Sequence, residues 1–162
     1  MIKGFFDILT YLENFKIKKL FGDIALKVIK NGCYYGYLVR ENNKIAQIQE
    51  LPPKYCRSRY KVNEYNVIEF NMKYFDDAFR DVNYRMRVIK LFPPEFAKGY
   101  RLYKEGKLVP DYVGDQNGWY LLDPECGIKF NIADSDIPLL IAVIPALIDL
   151  DDMQDLDRQR MA

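Results

Sequence analysis

Arg57-Ser58-Arg59-Tyr60-Lys61-Val62 and Ile68-Glu69-Phe70-Asn71-Met72-Lys73-Tyr74 are the stretches on which the fold turns. In the first, Ser58, Tyr60 and Val62 alternate with Arg57, Arg59 and Lys61. In the second, Ile68, Phe70, Met72 and Tyr74 alternate with Glu69, Asn71 and Lys73. A period of two is the signature of a strand with one covered face. Matching the two apolar faces pairs Val62 with Ile68 and Tyr60 with Phe70. That register sets Lys61 against Glu69 and leaves the odd loop Glu64-Tyr65-Asn66, with Asn66 at its left-handed position.

Upstream of this pair, Cys33-Tyr34-Tyr35-Gly36-Tyr37-Leu38-Val39, the polar turn Glu41-Asn42-Asn43-Lys44 and residues 45–51 predict a β-hairpin ended by Pro52-Pro53. Its second strand alternates poorly, because Ile45, Ile48 and Leu51 are three apart. Before the hairpin, Ile17, Leu20 or Phe21, Ile24 and Val28 recur at helical steps opposite Lys16, Lys19, Lys27 and Lys30, and Asn31-Gly32 supplies the stop. Such a lysine face suits nucleic acid, an anionic membrane or plain solvent.

Downstream, Phe75, Phe79, Val82, Met86 and Ile89 predict one helix broken by Pro93-Pro94. A shorter one follows, with Phe96, Tyr100 and Tyr103 on one side and Gly106 as its stop. Residues 107–118 read as loop. Residues 119–122 and 128–132 predict a last strand pair across Asp123-Pro124-Glu125. Ser135 or Asp136 then caps a helix carrying Pro138 in its first turn and kinked or restarted at Pro145. The fold class is α+β: an N-terminal helix, antiparallel β-hairpins, amphipathic helices and a C-terminal helix, as a single region over 1–162.

Composition narrows the chemistry. The 162 residues hold 24 Lys and Arg, 23 Asp and Glu, three Cys and no His. A chain of this length and 49% hydrophobic content can build a core. Without histidine the commonest general base and metal ligand are missing, and three scattered cysteines make no four-thiolate zinc site. An odd cysteine count without CxxC, and a start broken early by Asp7, fit a reducing cytoplasm rather than secretion. The apolar run over 137–148 is interrupted by Pro138 and Pro145 and is too short to span a bilayer.

Net charge near zero hides an asymmetry. Residues 1–61 carry 12 basic and 5 acidic side chains, 62–132 carry 10 and 11, and 133–162 carry 2 and 7. A basic beginning and an acidic end suit head-to-tail contact between copies or with a charged partner, and equally suit solvated faces.

The densest basic stretch holds Lys54, Arg57, Arg59 and Lys61 with Tyr55 and Tyr60 interleaved, the residue types that phosphate contact and base stacking use. Its alternation puts the cations on the polar face of a strand, where ion pairing is the competing reading. Asp149, Asp151, Asp152, Asp155 and Asp157 lack the alternate-ligand pattern of a calcium loop, and acids early in a helix favour its positive end. Paired carboxylates or an activated cysteine at diagnostic spacing are not found, so no catalytic, cofactor or metal site is expected.

The runs Glu50-Leu51-Pro52-Pro53-Lys54-Tyr55-Cys56-Arg57-Ser58-Arg59-Tyr60 and Glu69-Phe70-Asn71-Met72-Lys73-Tyr74-Phe75-Asp76 resemble portal proteins of tailed bacteriophages, as do Gly118-Trp119-Tyr120-Leu121-Leu122-Asp123-Pro124 and the Asp149-Leu150-Asp151 and Asp155-Leu156-Asp157 pairs. The resemblance covers most of the chain from about Leu20 and is to a subgroup, since portals diverge strongly. It implies a non-enzymatic structural subunit of a ring at one capsid vertex, a homo-oligomer that admits DNA driven by the terminase, contacts capsid and tail connector proteins, and resides in the virion, or in host cytoplasm during assembly. The element order resembles the wing region. Portals are several hundred residues long, so the helical pattern over 136–162 reads as the start of a segment that continues elsewhere, in a truncated gene or an excised fragment. On this reading Leu139, Leu140, Val143 and Leu147 pack against neighbouring subunits, and Lys54, Arg57, Arg59 and Lys61 contact nucleic acid or a neighbour. The alternative is a small nucleic-acid-binding module using the basic first third.

Overall fold

The computed structural model describes residues 9–10, 13, 16–41, 44–62, 65–108, 117–132, 136–138, 141, 143–146, 148–150 and 153. The protein is mixed α+β with small antiparallel sheets. Its contacts group into two compact units, one of residues 1–33 and 131–162, the other of Tyr34–Phe130.

In the first unit, helix α1 spans Ile17–Asn31 and buries Ile24 and Val28, as the periodicity predicts. Gly32 ends it at φ 83°, donating its N–H to the Val28 carbonyl at 2.8 Å. A Cβ at Gly32 would sit 2.1 Å from the Asp136 carbonyl oxygen. Only glycine meets both demands, the left-handed backbone and the close approach. Within the same unit, residues 144–146 and 148–150 are helical; Ser135 lies outside the described residues.

In the second unit, strands β1 (Cys33–Glu41) and β2 (Lys44–Leu51) form the expected hairpin, with Tyr35 opposite Leu51 and Glu41 opposite Lys44. The register shifts between Val39, opposite Gln47, and Arg40, opposite Ile45. Ala46 is therefore an extra residue, and one extra residue returns Ile45 and Ile48 to the same face. That bulge accounts for the poor alternation.

A short 3-10 turn, Pro53–Tyr55, leads to β3 (Cys56–Arg57), which pairs with β6 (Glu69–Asn71), Cys56 opposite Phe70 and Arg57 opposite Glu69. Between them β4 (Lys61–Val62) and β5 (Tyr65–Asn66) make a separate ribbon, Lys61 opposite Asn66 and Val62 opposite Tyr65. The predicted register of Val62 with Ile68, Tyr60 with Phe70 and Lys61 with Glu69 is thus corrected, and Tyr65 and Asn66 are strand rather than loop. The two ladders are offset by one residue. Such an offset turns side chains to the opposite face, so Tyr60 and Val62 share a face with Tyr65 and not with Phe70. Val62 is exposed while Ile68 and Phe70 are fully buried.

Helix α2 (Tyr74–Ala78) and helix α3 (Val82–Leu91) replace the single helix predicted through Phe79 and Val82. Phe79 is extended, and Asp81 restarts the chain as an N-cap, its carboxylate accepting the Tyr84 N–H at 2.6 Å. The break spares Val82 and Met86, both exposed, from burial. Helix α4 (Pro94–Lys104) ends before Gly106 and buries Phe96, Gly99 and Tyr100, in line with its predicted face.

Strands β7 (Trp119–Leu121) and β8 (Gly127–Asn131) do not pair with each other, which corrects the predicted hairpin. The sheets run β2-β1-β8 and β3-β6-β7, with Phe70 opposite Tyr120. The turn between β7 and β8 closes through Asp123, whose carbonyl accepts from Cys126 and Gly127 and whose carboxylate accepts from the Glu125 N–H. It passes the chain from one sheet to the other.

The core is aromatic. Phe70 meets Phe96 at 5.3 Å and Tyr74 at 5.7 Å, Phe75 meets Phe92 at 5.2 Å, and Tyr37 meets Phe96 at 5.2 Å. All four pairs are edge-on, the arrangement ring quadrupoles favour, each contributing about 0.5–1.5 kcal/mol beyond area burial. Gly99 lets α4 approach the β6-β7 edge: a Cβ there would lie 2.3 Å from Met72 Cε and 2.9 Å from the Tyr120 ring.

Candidate functional site

The predicted basic residues do not stay together. Strand β3 and the loop after it carry Arg57 and Arg59, and β6 offers Glu69 between them. Glu69 is buried, because β6 is covered on both faces. Arg57 Nε donates to Glu69 Oε2, and Arg59 donates through Nη2 at 2.9 and 3.1 Å to the two carboxylate oxygens. Arg59 Nε also donates to Glu69 Oε2, at 3.2 Å, so two of its nitrogens grip the carboxylate, the geometry that makes arginine a strong carboxylate partner. On its other side, the Arg57 guanidinium lies 3.9 Å from the Trp119 ring centroid. A buried carboxylate needs partners of opposite charge, and the two guanidinium groups supply them. Asn71, expected on a solvated face, is buried too and accepts the Lys73 N–H at 3.0 Å.

Lys54 and Lys61 stay exposed, Lys54 with its ammonium 5.6 Å from the Tyr55 ring centroid. Around Lys61 the ribbon shows a feature that alternation alone hid. Tyr60 and Tyr65 are 51% and 59% exposed on one face with Val62. The predicted nucleic-acid patch therefore separates into an Arg57–Glu69–Arg59 strut and an exposed ribbon bearing Lys61 and two tyrosines.

A second charged cluster ties helices α2, α3 and α4 together. Asp76 on α2 accepts from Arg85 of α3, from the Tyr100 hydroxyl of α4 at 2.8 Å and from Lys104 Nζ at 2.6 Å. Burial works against its charge, but the hydrogen bonds from Lys104 and Tyr100 prevail and hold its carboxyl below the usual range. Lys104 is raised in return, chiefly by its hydrogen bond to Asp76.

At the start of α4, Glu95 accepts the Tyr37 hydroxyl at 2.5 Å and the Asp123 N–H at 2.9 Å. Burial and that bond raise the Tyr37 phenol far above its ordinary value. Burial also pushes the Cys126 thiol up, against the pull of the Tyr37 hydroxyl. A thiol so placed is a poor nucleophile at neutral pH. Cys33, Cys56 and Cys126 are all buried.

Of the residues predicted to pack against neighbours, Val143 is exposed, and Leu139, Leu140 and Leu147 lie outside the described residues. Asp149 is exposed, while Asp151, Asp152, Asp155 and Asp157 are likewise outside them. Among the described residues no group of three or more Asp, Glu, Cys or His could hold a metal, and no helix is long and apolar enough to cross a membrane. Comparison with known proteins finds no matching family model, curated protein or solved structure.

Proposed function

We propose that this chain is a structural subunit of a portal-like ring of a tailed bacteriophage, corresponding to the wing portion and working through assembly rather than turnover. The observation that carries this reading is the convergence of the resembling stretches. The Glu50-to-Tyr60 run closes β2 and supplies β3, the Glu69-to-Asp76 run supplies β6 and opens α2, and the Gly118-to-Pro124 run supplies β7. Strands β3, β6 and β7 belong to one sheet, in the order β3-β6-β7. Stretches distant in sequence thus come together in one folded unit. The polar clusters at Glu69, Asp76 and Glu95 act within it as struts between elements.

Sedimentation velocity across a concentration series, with negative-stain microscopy at the top of it, tests the proposal. Concentration-dependent oligomers that include ring-shaped particles are expected. A monodisperse monomer at every concentration would overturn it.

A second reading, the nucleic-acid-binding module, draws on the exposure of Tyr60 and Tyr65 beside Lys61. If it holds, Lys54 and Lys61 supply the phosphate contacts, because Arg57 and Arg59 are engaged by Glu69. The log–log salt slope for single-stranded DNA would then be about −1.4, from roughly −0.7 per phosphate, rather than double that.

A further inference from the structure

Helix α3 is held along one narrow side and shows the rest of its circumference to solvent. On the held side Ile89 is buried, and Arg85 Nη1 donates to Asp76 of α2 and, at 3.1 Å, to the Tyr100 hydroxyl of α4. Opposite it Asn83, Arg87 and Lys90, at i, i+4 and i+7, form one exposed column. Val82 and Met86 border that column on one side, Tyr84 and Leu91 on the other, and all four are about half exposed or more.

The chain around this column is basic. Arg80 is exposed in the three-residue turn between α2 and α3. Arg80, Arg87 and Lys90 have no carboxylate partner among the described residues. The acids nearby are engaged elsewhere: Asp81 caps α3, Asp76 holds Arg85 and Lys104, and Asp77 accepts from the Tyr55 hydroxyl.

We infer that α3 is a reading helix for the major groove of duplex DNA, presented by the sequence of helix α2, three-residue turn and helix α3. An α-helix about 10–12 Å across with its side chains fills a groove about 12 Å wide. In that groove Asn83 and Arg87 carry the groups that bond adenine and guanine edges, and Val82 and Met86 meet thymine methyls. Arg80 before the first turn and Lys90 in the last stand at opposite ends of α3, placed for phosphates on either side of the groove. The order of residues across the exposed face selects this occupant. A bilayer takes a helix whose outward face is apolar at its middle, whereas α3 has polar residues in the middle and aliphatic ones at the margins. Single strands are bound by stacking on aromatic rings, and the column holds none. The inference goes beyond the ring-subunit reading and does not rest on it. It also places duplex contact on α3 and not on the β4–β5 ribbon.

Fluorescence anisotropy of a labelled mixed-sequence duplex of about 20 base pairs, titrated with the full chain between about 50 and 200 mM salt, tests it. Two phosphate contacts give a log–log salt slope of about −1.8, from roughly −0.9 each, and Lys90→Gln should lower it to about −0.9. Arg87→Gln should weaken binding about fivefold or more with the slope little changed. Both positions are exposed, so melting of the variants should match the parent. In the saturated parent complex guanine N7, which lies in the major groove, should be protected from methylation by dimethyl sulfate. Lys61→Gln and Tyr65→Ala should leave every readout unchanged. No duplex binding by the parent at the lowest salt, or guanine N7 still methylated in the complex, would overturn the inference. A loss that follows Lys61 and Tyr65 instead would move the contact to the ribbon and overturn it as well. So would binding of polyglutamate or phosphatidylserine vesicles through Arg87 as tight as binding of the duplex, since α3 would then be a site for any anion. Rings formed by a parent that binds no duplex would leave the ring reading standing and remove this one.

Discussion

Neutralising Glu69 should destabilise the protein more than removing any cation around it. The carboxylate is 8% exposed, its partners Arg57 and Arg59 are 22% and 27% exposed, and it receives both. Breaking a fully buried ion pair from one side costs about 3–5 kcal/mol, because the remaining charge stays unpaired in a poor solvent. Here the two guanidinium groups keep partial access to water, which lowers that figure. About 2–3 kcal/mol is expected for Glu69→Ala and somewhat less for Glu69→Gln, which keeps the volume and one acceptor. In a chain of this size that is a fall in Tm of roughly 5–10 °C. The protein carries its own probe, since its single Trp is the one under Arg57. Urea unfolding followed by Trp119 fluorescence should show a lower midpoint at unchanged slope. Lys61→Gln, at an exposed site, should leave the midpoint where it was. A shift below about 0.5 kcal/mol for Glu69→Ala would mean that the cluster is a surface pairing of no structural weight and refute the reasoning.

Gly99→Ala should cost about 1–2 kcal/mol, although alanine favours helix by about 1 kcal/mol, because its Cβ would press on Met72 and Tyr120 in a filled core; calorimetry would show whether propensity wins instead. For Asp76, the lowered carboxyl means that stabilisation is fully present above the ordinary aspartate range and is lost as pH falls through the lowered value. Asp76→Asn should therefore remove about 1.5–3 kcal/mol at neutral pH and flatten the acid limb of the stability curve, and parallel acid limbs for the two proteins would contradict this. Val62→Asp should change stability by less than about 0.5 kcal/mol, since Val62 is exposed on the ribbon, whereas Ile68→Asp should prevent folding at ambient temperature; equal tolerance in denaturant melts would show that the ribbon register is misread.

The elements legible in the sequence were those whose signal is local. Gly32 after a period of 3.6, Pro52-Pro53 after an aromatic run, and Phe96 with Tyr100 ahead of Gly106 each carry their own start, face or stop, and α1, the β1–β2 hairpin and α4 follow. Elements whose boundaries depend on a distant partner were not legible in this way. The apolar rhythm from Phe75 to Ile89 runs straight through residues 79–81, where the chain turns extended and Asp81 caps a new helix. Both halves obey the same periodicity, so periodicity alone could not mark the break, although an Asp three residues ahead of Tyr84 was a capping signal in plain view. Trp119 and Ile128 flank a sound turn, and a turn is equally compatible with a hairpin and with a crossing between two sheets.

The charged cluster was half legible for a related reason. Alternation correctly put Arg57, Arg59 and Glu69 on polar positions, and ion pairing was one of the two readings it allowed. The choice of partner depended on register. The expected ladder and the observed one differ by four residues at Glu69, which meets Arg57 in place of Lys61. An even slip preserves every face and changes every partner, so no pattern of apolar and polar residues can detect it. The one-residue offset of the neighbouring ribbon is an odd slip, and it does change faces: Tyr60 and Val62 leave the core side and stand in solvent. The two offsets together take the arginines out of the basic patch and leave it Lys61 and its exposed tyrosines. Neither offset is encoded in residues 57–62 themselves. Both are set by which residues of 65–71 the rest of the unit has already fixed, with Phe70 held between Phe96 and Tyr74 and Asn71 opposite Trp119. The packing of β6 against α4 and β7 thus decides which cations remain exposed on this surface.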